Sequence, residues 1–292
     1  MRILGSALLV FISATLGFAL DETAYKTAVD LYVHGKPLEA QAAFEALAPA
    51  NPDNADIPFY LGRLALQRND AEHAVPYLEK AVALAPTDSR MQLRLGDAYG
   101  LTAQKAGLLS KMSWAGKCRT AYEKAVELDP KNIDARWSLM EYCRQAPSFV
   151  GGGIDKAIVQ AQEIKKIDAS RGRIALGAIY TSDKKFDLAF GEFEEVLQKE
   201  PDNYEALFQT GRLAAISGER LDQGLIVLRK CLTQTPPAGQ APYAAVHWRI
   251  GNILEKKDDK AGARTAYEAA LKADPKFSPA IESLKKISAS GT

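Results

Sequence analysis

The residues able to do chemistry are few. The chain has three histidines, His34, His73 and His247, and three cysteines, Cys118, Cys143 and Cys231, in 292 residues. A metal site or a nucleophile with its base shows in a sequence as such groups at short fixed spacing. No two of these six stand within one helical turn of each other. Gly151-Gly152-Gly153 would cradle a phosphate if it followed a strand and led into a Lys-Ser/Thr pair, but Ile154-Asp155-Lys156 comes next, so it reads as a turn. Ser182-Asp183-Lys184-Lys185 fits S-x-x-K, in which lysine activates serine, yet it falls in a polar turn with no companion motif. Acidic pairs such as Glu194-Glu195 sit on outward helix faces. There is no HExxH, GxSxG, Walker loop or GxGxxG. The expectation is a chain without a catalytic site, metal or cofactor.

The elements that carry these residues are helices. From Ser170 to Asp202, apolar residues at Ile174, Leu176, Ile179 and Tyr180, then at Phe186, Ala189, Phe193, Val196 and Leu197, fall mostly at three- and four-residue spacings. Two amphipathic helices result, with Ser182–Lys185 between them and Pro201, which has no amide hydrogen to continue a helix, after them. Numbered so that Leu176 and Gly177 are positions 7 and 8, the same marks recur. Glycine at position 8 is Gly62, Gly96, Gly177, Gly211 and Gly251, and two of the intervals are 34 residues long. The small residue at position 20 is Ala40, Ala74, Cys118, Ala157, Ala189, Gly224 and Ala263. Closing prolines are Pro52, Pro86, Pro130, Pro201, Pro236 and Pro275, with Ala169 in that slot of the fourth copy. A helical glycine costs about 1 kcal/mol against alanine, so regular glycines imply close helix packing that offsets the cost.

This order of small, aromatic and proline residues resembles the tetratricopeptide repeat, whose period is 34 residues. The resemblance implies an all-α solenoid: seven helical hairpins in a right-handed superhelix, followed by a C-terminal capping helix. The repeats cover about 22–52, 54–86, 89–130, 133–169, 170–202, 203–236 and 243–275, with the cap at 279–287, in an array spanning 22–288. The cysteines take positions 20, 11 and 27, which are packing slots; buried thiols are expected, with a Cys118–Cys143 bond as the alternative. Repeat three has ten additional residues within Leu101–Trp114, and repeat four has a long turn at Pro147–Gly153. Two enlarged turns are expected there.

The resemblance also implies a concave groove lined by positions 2, 5, 6 and 9 of the first helices. Carried over, its partner-binding residues are Phe59, Arg63, Arg90, Arg94, Trp137, Phe208, Arg212, Trp248, Arg249 and Asn252. Arginine beside an aromatic suits peptide capture, because the guanidinium is a fork of donors for carboxylates and carbonyls and the ring gives apolar area at low entropy cost. The expected function is an exported scaffold holding an extended protein or peptide partner, acidic or carbonyl-rich. The alternative is a subunit or assembly factor of a cell-envelope complex, docking through Leu108, Leu109, Met112, Trp114, Phe149 and Val150. Ion pairing of the arginines with neighbouring acids is the bland reading of the same residues.

Charge bounds the partners further. Lysine and arginine number 37 against 36 aspartates and glutamates, which gives no basic excess for nucleic acid or an anionic membrane. Residues 1–19 carry one arginine, an apolar run from Ile3 to Phe18 and small residues at Gly17 and Ala19, which reads as a signal peptide cleaved after Ala19. The expected place is the periplasm, with membrane attachment only if that segment stays uncleaved.

Overall fold

The computed structural model describes residues 20–289. The signal peptide expected at 1–19 lies outside the described residues. Among those described there are fifteen α-helices, two single turns of 3-10 helix and no strand. The described residues divide into two compact units, split between Ala121 and Tyr122.

In the N-terminal unit α1 (Glu22–Val33) pairs with α2 (Pro37–Leu47), and α3 (Asp56–Gln67) pairs with α4 (Ala71–Leu84). Next come α5 (Ser89–Lys105) and α6 (Leu108–Leu128), the latter running across the division. Aspartates cap three of these helices: Asp21, Asp70 and Asp88 accept from amides of the first turns of α1, α4 and α5, satisfying donors that have no partner within the helix. Ala28, Ala40, Phe44, Leu47, Ile57, Leu61 and Leu64 form one core cluster. Phe59, Ala74, Leu78, Ala81, Met91 and Leu95 belong to the next.

The C-terminal unit repeats the arrangement with α7 (Ile133–Gln145) and α8 (Ile154–Ile167), α9 (Ala169–Ser182) and α10 (Phe186–Lys199), α11 (Tyr204–Ser217) and α12 (Leu221–Cys231), and α13 (Tyr243–Lys256) and α14 (Lys260–Ala273). A final helix, α15 (Ser278–Ala289), packs on α14 and buries Ala280 and Ile287 against Ala263, Tyr267 and Ala270. It takes the place expected of a cap.

The periodic glycines do what their register implies. A methyl group on Gly62 would stand 2.5 Å from Leu78 Cγ, and one on Gly177, Gly211 or Gly251 would overlap Phe193, Leu228 or Tyr267. Position 8 is therefore the seat of the side chain at position 24. All seven residues at position 20 are buried: Ala40, Ala74, Cys118, Ala157, Ala189, Gly224 and Ala263. The cysteines occupy packing positions, all three buried.

One expectation is corrected. The additional residues of repeat three do not form an enlarged turn; they lengthen two helices, so that α5 has 17 residues and α6 has 21, with only Ala106-Gly107 between them. The segment Leu101–Trp114 lacks proline, and its good helix formers continue the ladders already started. Repeat four does have the long turn. It is tied down by its own backbone: the amides of Gly151, Gly152 and Gly153 donate to the carbonyls of Ser148, Pro147 and Cys143. Those three donors are spent on the loop and the end of α7, which removes the phosphate-cradle reading of the glycine run.

Candidate functional site

Positions 5, 6 and 9 of the first helices were expected to face a ligand, and the structure sorts them. The aromatic rings at position 5 are largely packing groups. Phe59 and Phe208 are buried, each within the cluster that joins its repeat to the next. Trp137 is half-buried against Ile174, Val196 and Ala206. Trp248 meets the edge of Phe277, with ring centroids 6.1 Å apart, and its indole N–H donates to Ser283 Oγ at 3.1 Å. The capping helix and its approach thus occupy Trp248. A bulky ring at this depth reaches the following repeat before it reaches solvent, and burial of 150–250 Å² of aromatic surface outweighs exposure to an absent ligand.

The arginines separate by unit. In the N-terminal unit they are satisfied. Arg94 Nη1 donates to Asp97 Oδ2 at 2.8 Å, and Arg90 donates to both carboxylate oxygens of Asp88, whose acidity is raised mainly by that bonding. Arg63 lies over the rings of Tyr32, Phe59 and Tyr60, at 4.8, 5.4 and 5.8 Å from their centroids. Stacking of this kind gives the guanidinium an attractive partner without a carboxylate.

In the C-terminal unit the corresponding partners are neutral. Arg212 Nη1 donates to the amide oxygen of Gln209 at 3.1 Å, and Gln209 in turn donates to Glu205 at 2.6 Å. Arg249 reaches Asn252 Oδ1 at only 3.5 Å and lies 4.0 Å above the Trp248 ring. Its Nε is buried and without a hydrogen-bond partner. Burial lowers the proton affinity of both arginines. A second cation adds to this in each case, Arg144 for Arg212 and Arg212 for Arg249, and Arg249 is brought down to about 10. Arg144 itself pairs with Glu141 Oε2 at 2.6 Å. The result is two guanidiniums on α11 and α13, helices in contact, that repel each other, with a buried N–H of Arg249 lacking an acceptor.

The difference between the units was present in the sequence one turn away from each arginine. Arg94 at position 6 has Asp97 at position 9; Arg212 at position 9 has Gln209 at position 6; Arg249 at position 6 has Asn252 at position 9. Residues three apart on a helix face each other, so carboxylate against amide distinguishes a paired arginine from an underpaired one. Arg144, which position rules did not select, has its own signal in Glu141 three residues before it.

The surface residues named with repeats three and four differ in exposure. Leu108 and Leu109 are 78% and 80% exposed and Phe149 is 75% exposed, whereas Val150 is half-buried and its carbonyl accepts from Tyr142 Oη at 2.7 Å. Trp114 is half-buried beside Tyr99, with ring centroids 5.6 Å apart. An open cleft of about 470 Å³ lies next to it, lined by Val75, Pro76, Thr102, Lys105 and Trp114. Among the described residues no three histidines, cysteines or acids converge as metal ligands. In the S-x-x-K segment Ser182 Oγ donates to Ala178 O and accepts from Arg144, while Lys185 pairs with Asp183 at 2.8 Å. Serine and lysine there have other partners.

Residues 25–99, 103–132 and 244–277 each match a family model described as a tetratricopeptide repeat. No curated protein matches the sequence. A tetratricopeptide repeat protein from Parabacteroides merdae has a similar structure, with a TM-score of 0.67 at 15% identity, covering 91% of this chain and 98% of that one. A chain of the APC/C hetero-tetramer Cut9–Hcn1 gives 0.58 at 14% identity, over 93% of this chain and 50% of its own. PilW, described as a widely conserved type IV pilus biogenesis factor, gives 0.50 at 12% identity, over 90% and 99%. At these identities the likeness is one of fold.

Proposed function

Because the chain belongs to the tetratricopeptide repeat superfamily, we propose that it is an exported scaffold that holds a protein or peptide partner, and that an acidic stretch of the partner docks at Arg212 and Arg249. The observation that carries this reading is the pair itself: two neighbouring, partly buried guanidiniums with amide rather than carboxylate partners and one buried N–H unanswered. A carboxylate arriving there would supply the missing acceptors and relieve the repulsion, and charge-assisted bonds to arginine are the stronger kind. Arg63, Arg90 and Arg94 play no part in this, since rings and carboxylates already hold them. Assembly with a second protein, as in the Cut9–Hcn1 hetero-tetramer, supports a binding role for this fold. The periplasm is the proposed location, on the strength of the signal-like residues 1–19.

Affinity capture from a cell-envelope extract, followed by titration of the retained partner, tests the reading. Replacing Arg212 and Arg249 by Gln is expected to weaken binding by tenfold or more with the helical spectrum unchanged, about 1.5–3 kcal/mol for charged hydrogen bonds. Equal affinity of the double variant would move the site elsewhere. A second reading, an assembly factor of an envelope complex, is favoured by one observation: Phe149 is exposed on a loop whose backbone is otherwise tied down. Capture of one stable stoichiometric complex, lost on Phe149→Ser and kept in the arginine variant, would select it.

A further inference from the structure

Neutral chains can carry local charge, and this one does so where its apolar exposure is greatest. From Ala98 to Tyr122 there is no acidic residue, but there are Lys105, Lys111, Lys117 and Arg119, in a protein whose formal net charge is +1. The middle of that segment is the apex of the α5–α6 hairpin. Leu108 and Leu109 are 78% and 80% exposed there, and Met112, one helical turn on, is 40% exposed. These side chains have no slot in the regular repeat and stand on the residues that lengthen the two helices.

Among the described residues Lys105, Lys111 and Lys117 form no ion pair with a carboxylate. Lys105 Nζ donates to the carbonyl of Asn69, and Lys117 Nζ stands 4.3 Å over the Trp114 ring. Lys111 is exposed. The acids of α4 on this side are Asp70 and Glu72, which line the cleft beside Trp114, and Glu79, which accepts from the Tyr99 hydroxyl at 2.8 Å; Asp70 is engaged by the His73 ring at 2.7 Å and caps α4. Trp114 follows Leu108 by six residues, about 9 Å along a helix.

We propose that this apex is a membrane contact, in which Leu108, Leu109 and Met112 enter the acyl region of an anionic bilayer and Lys105, Lys111 and Lys117 meet its headgroups. Three features favour lipid over a protein partner. The apolar residues crown a helical hairpin with lysines on either side, and apolar side chains beside Lys/Arg are the combination that binds an anionic lipid interface. Lysine stems can lie along apolar surface while their ammonium groups reach the phosphates. The tryptophan stands about 9 Å behind the leading leucine along the helix, so with the apex inserted its ring comes to the headgroup level, where indole rings collect. Among the described residues no helix is long and apolar enough to span a bilayer, so the contact is a shallow one.

Co-sedimentation of the full chain with vesicles of phosphatidylcholine, and with vesicles in which part of it is replaced by phosphatidylglycerol, tests the proposal. Stronger binding to the anionic vesicles is expected, with a blue shift in tryptophan emission. Leu108→Ser with Leu109→Ser should lower partitioning by about tenfold or more. Lys111→Glu, at an exposed position, should remove the preference for phosphatidylglycerol while the helical spectrum stays the same. Residues 1–19 are present in every variant, so differences between variants report the apex alone. Equal sedimentation of the leucine variant and the parent would overturn the proposal. So would indifference to lipid charge, or a leucine-dependent self-association without vesicle binding.

Discussion

Glycine at position 8 is the residue on which the packing turns. Gly177 allows Phe193 to lie directly on the α9 backbone, where any β-carbon would overlap the ring. Replacing Gly177 by Ala raises intrinsic helix propensity by about 1 kcal/mol, but it forces a fully buried ring out of its place. Overpacking costs of about 1–3 kcal/mol outweigh the gain, so the variant should melt earlier than the parent. Gly191, in the same hairpin, has open space around it. Gly191→Ala should therefore melt later, and thermal denaturation of the two variants side by side checks both signs. The same logic explains why these residues could be found without a structure: a glycine that recurs in register must be answering a steric demand. The arginines were harder, because position alone treats Arg94, Arg212 and Arg249 alike, and only the residue three away separates them.

Turns and helix ends show a second level of control. The connection between α9 and α10 places Lys184 at φ 57°, a left-handed conformation also adopted by Asn69, Arg220 and Asp258 at their hairpins. Such a conformation costs a residue with a β-carbon roughly 1–2 kcal/mol, while glycine adopts it freely and loses part of that advantage to the entropy of its unfolded chain. Lys184→Gly should accordingly stabilise the hairpin by about 0.5 kcal/mol, and Lys184→Val should destabilise it by about 1–2 kcal/mol. Urea denaturation of both variants measures the difference, and equal midpoints would refute the claim that strain is held at this turn. The hairpins themselves were legible from spacing, since period and proline punctuation are local signals. The length of α5 and α6 was not, because a run such as Leu101–Trp114 has the composition of a helix whether it extends its neighbours or forms a separate loop segment. Aromatics at position 5 were misjudged for a related reason: side-chain type shows that a ring is sticky, whereas burial by the next repeat is a property of the stack.

At the scale of the whole molecule, an array of hairpins has ends, and each end exposes the face that an inner repeat would cover. The C-terminal end is closed by α15, which sets Ala280 and Ile287 against Ala263, Tyr267 and Ala270, with Phe277 and Leu284 alongside. The closure also reaches the first helix of the last hairpin, because Ser283 accepts from the Trp248 indole and Phe277 meets its ring. Ending the chain after Asp274 would therefore strip cover from Tyr267 and leave Trp248 with an unanswered N–H beside Arg249. Loss of the apolar burial contributed by Ile287 and by the partly buried Phe277 and Leu284, at about 1.5 kcal/mol or more for a fully buried large side chain and less for the other two, predicts a destabilisation of roughly 3 kcal/mol. Because each hairpin is supported by its neighbours, the loss should appear first as local fraying of α13 and α14. Hydrogen exchange would then rise in residues 243–273 while the protection of α9 and α10 is retained, and Trp248 emission would move to the red. Uniform loss of protection through the C-terminal unit would instead mean that the hairpins melt as one block, and that α15 stabilises the block and not the end.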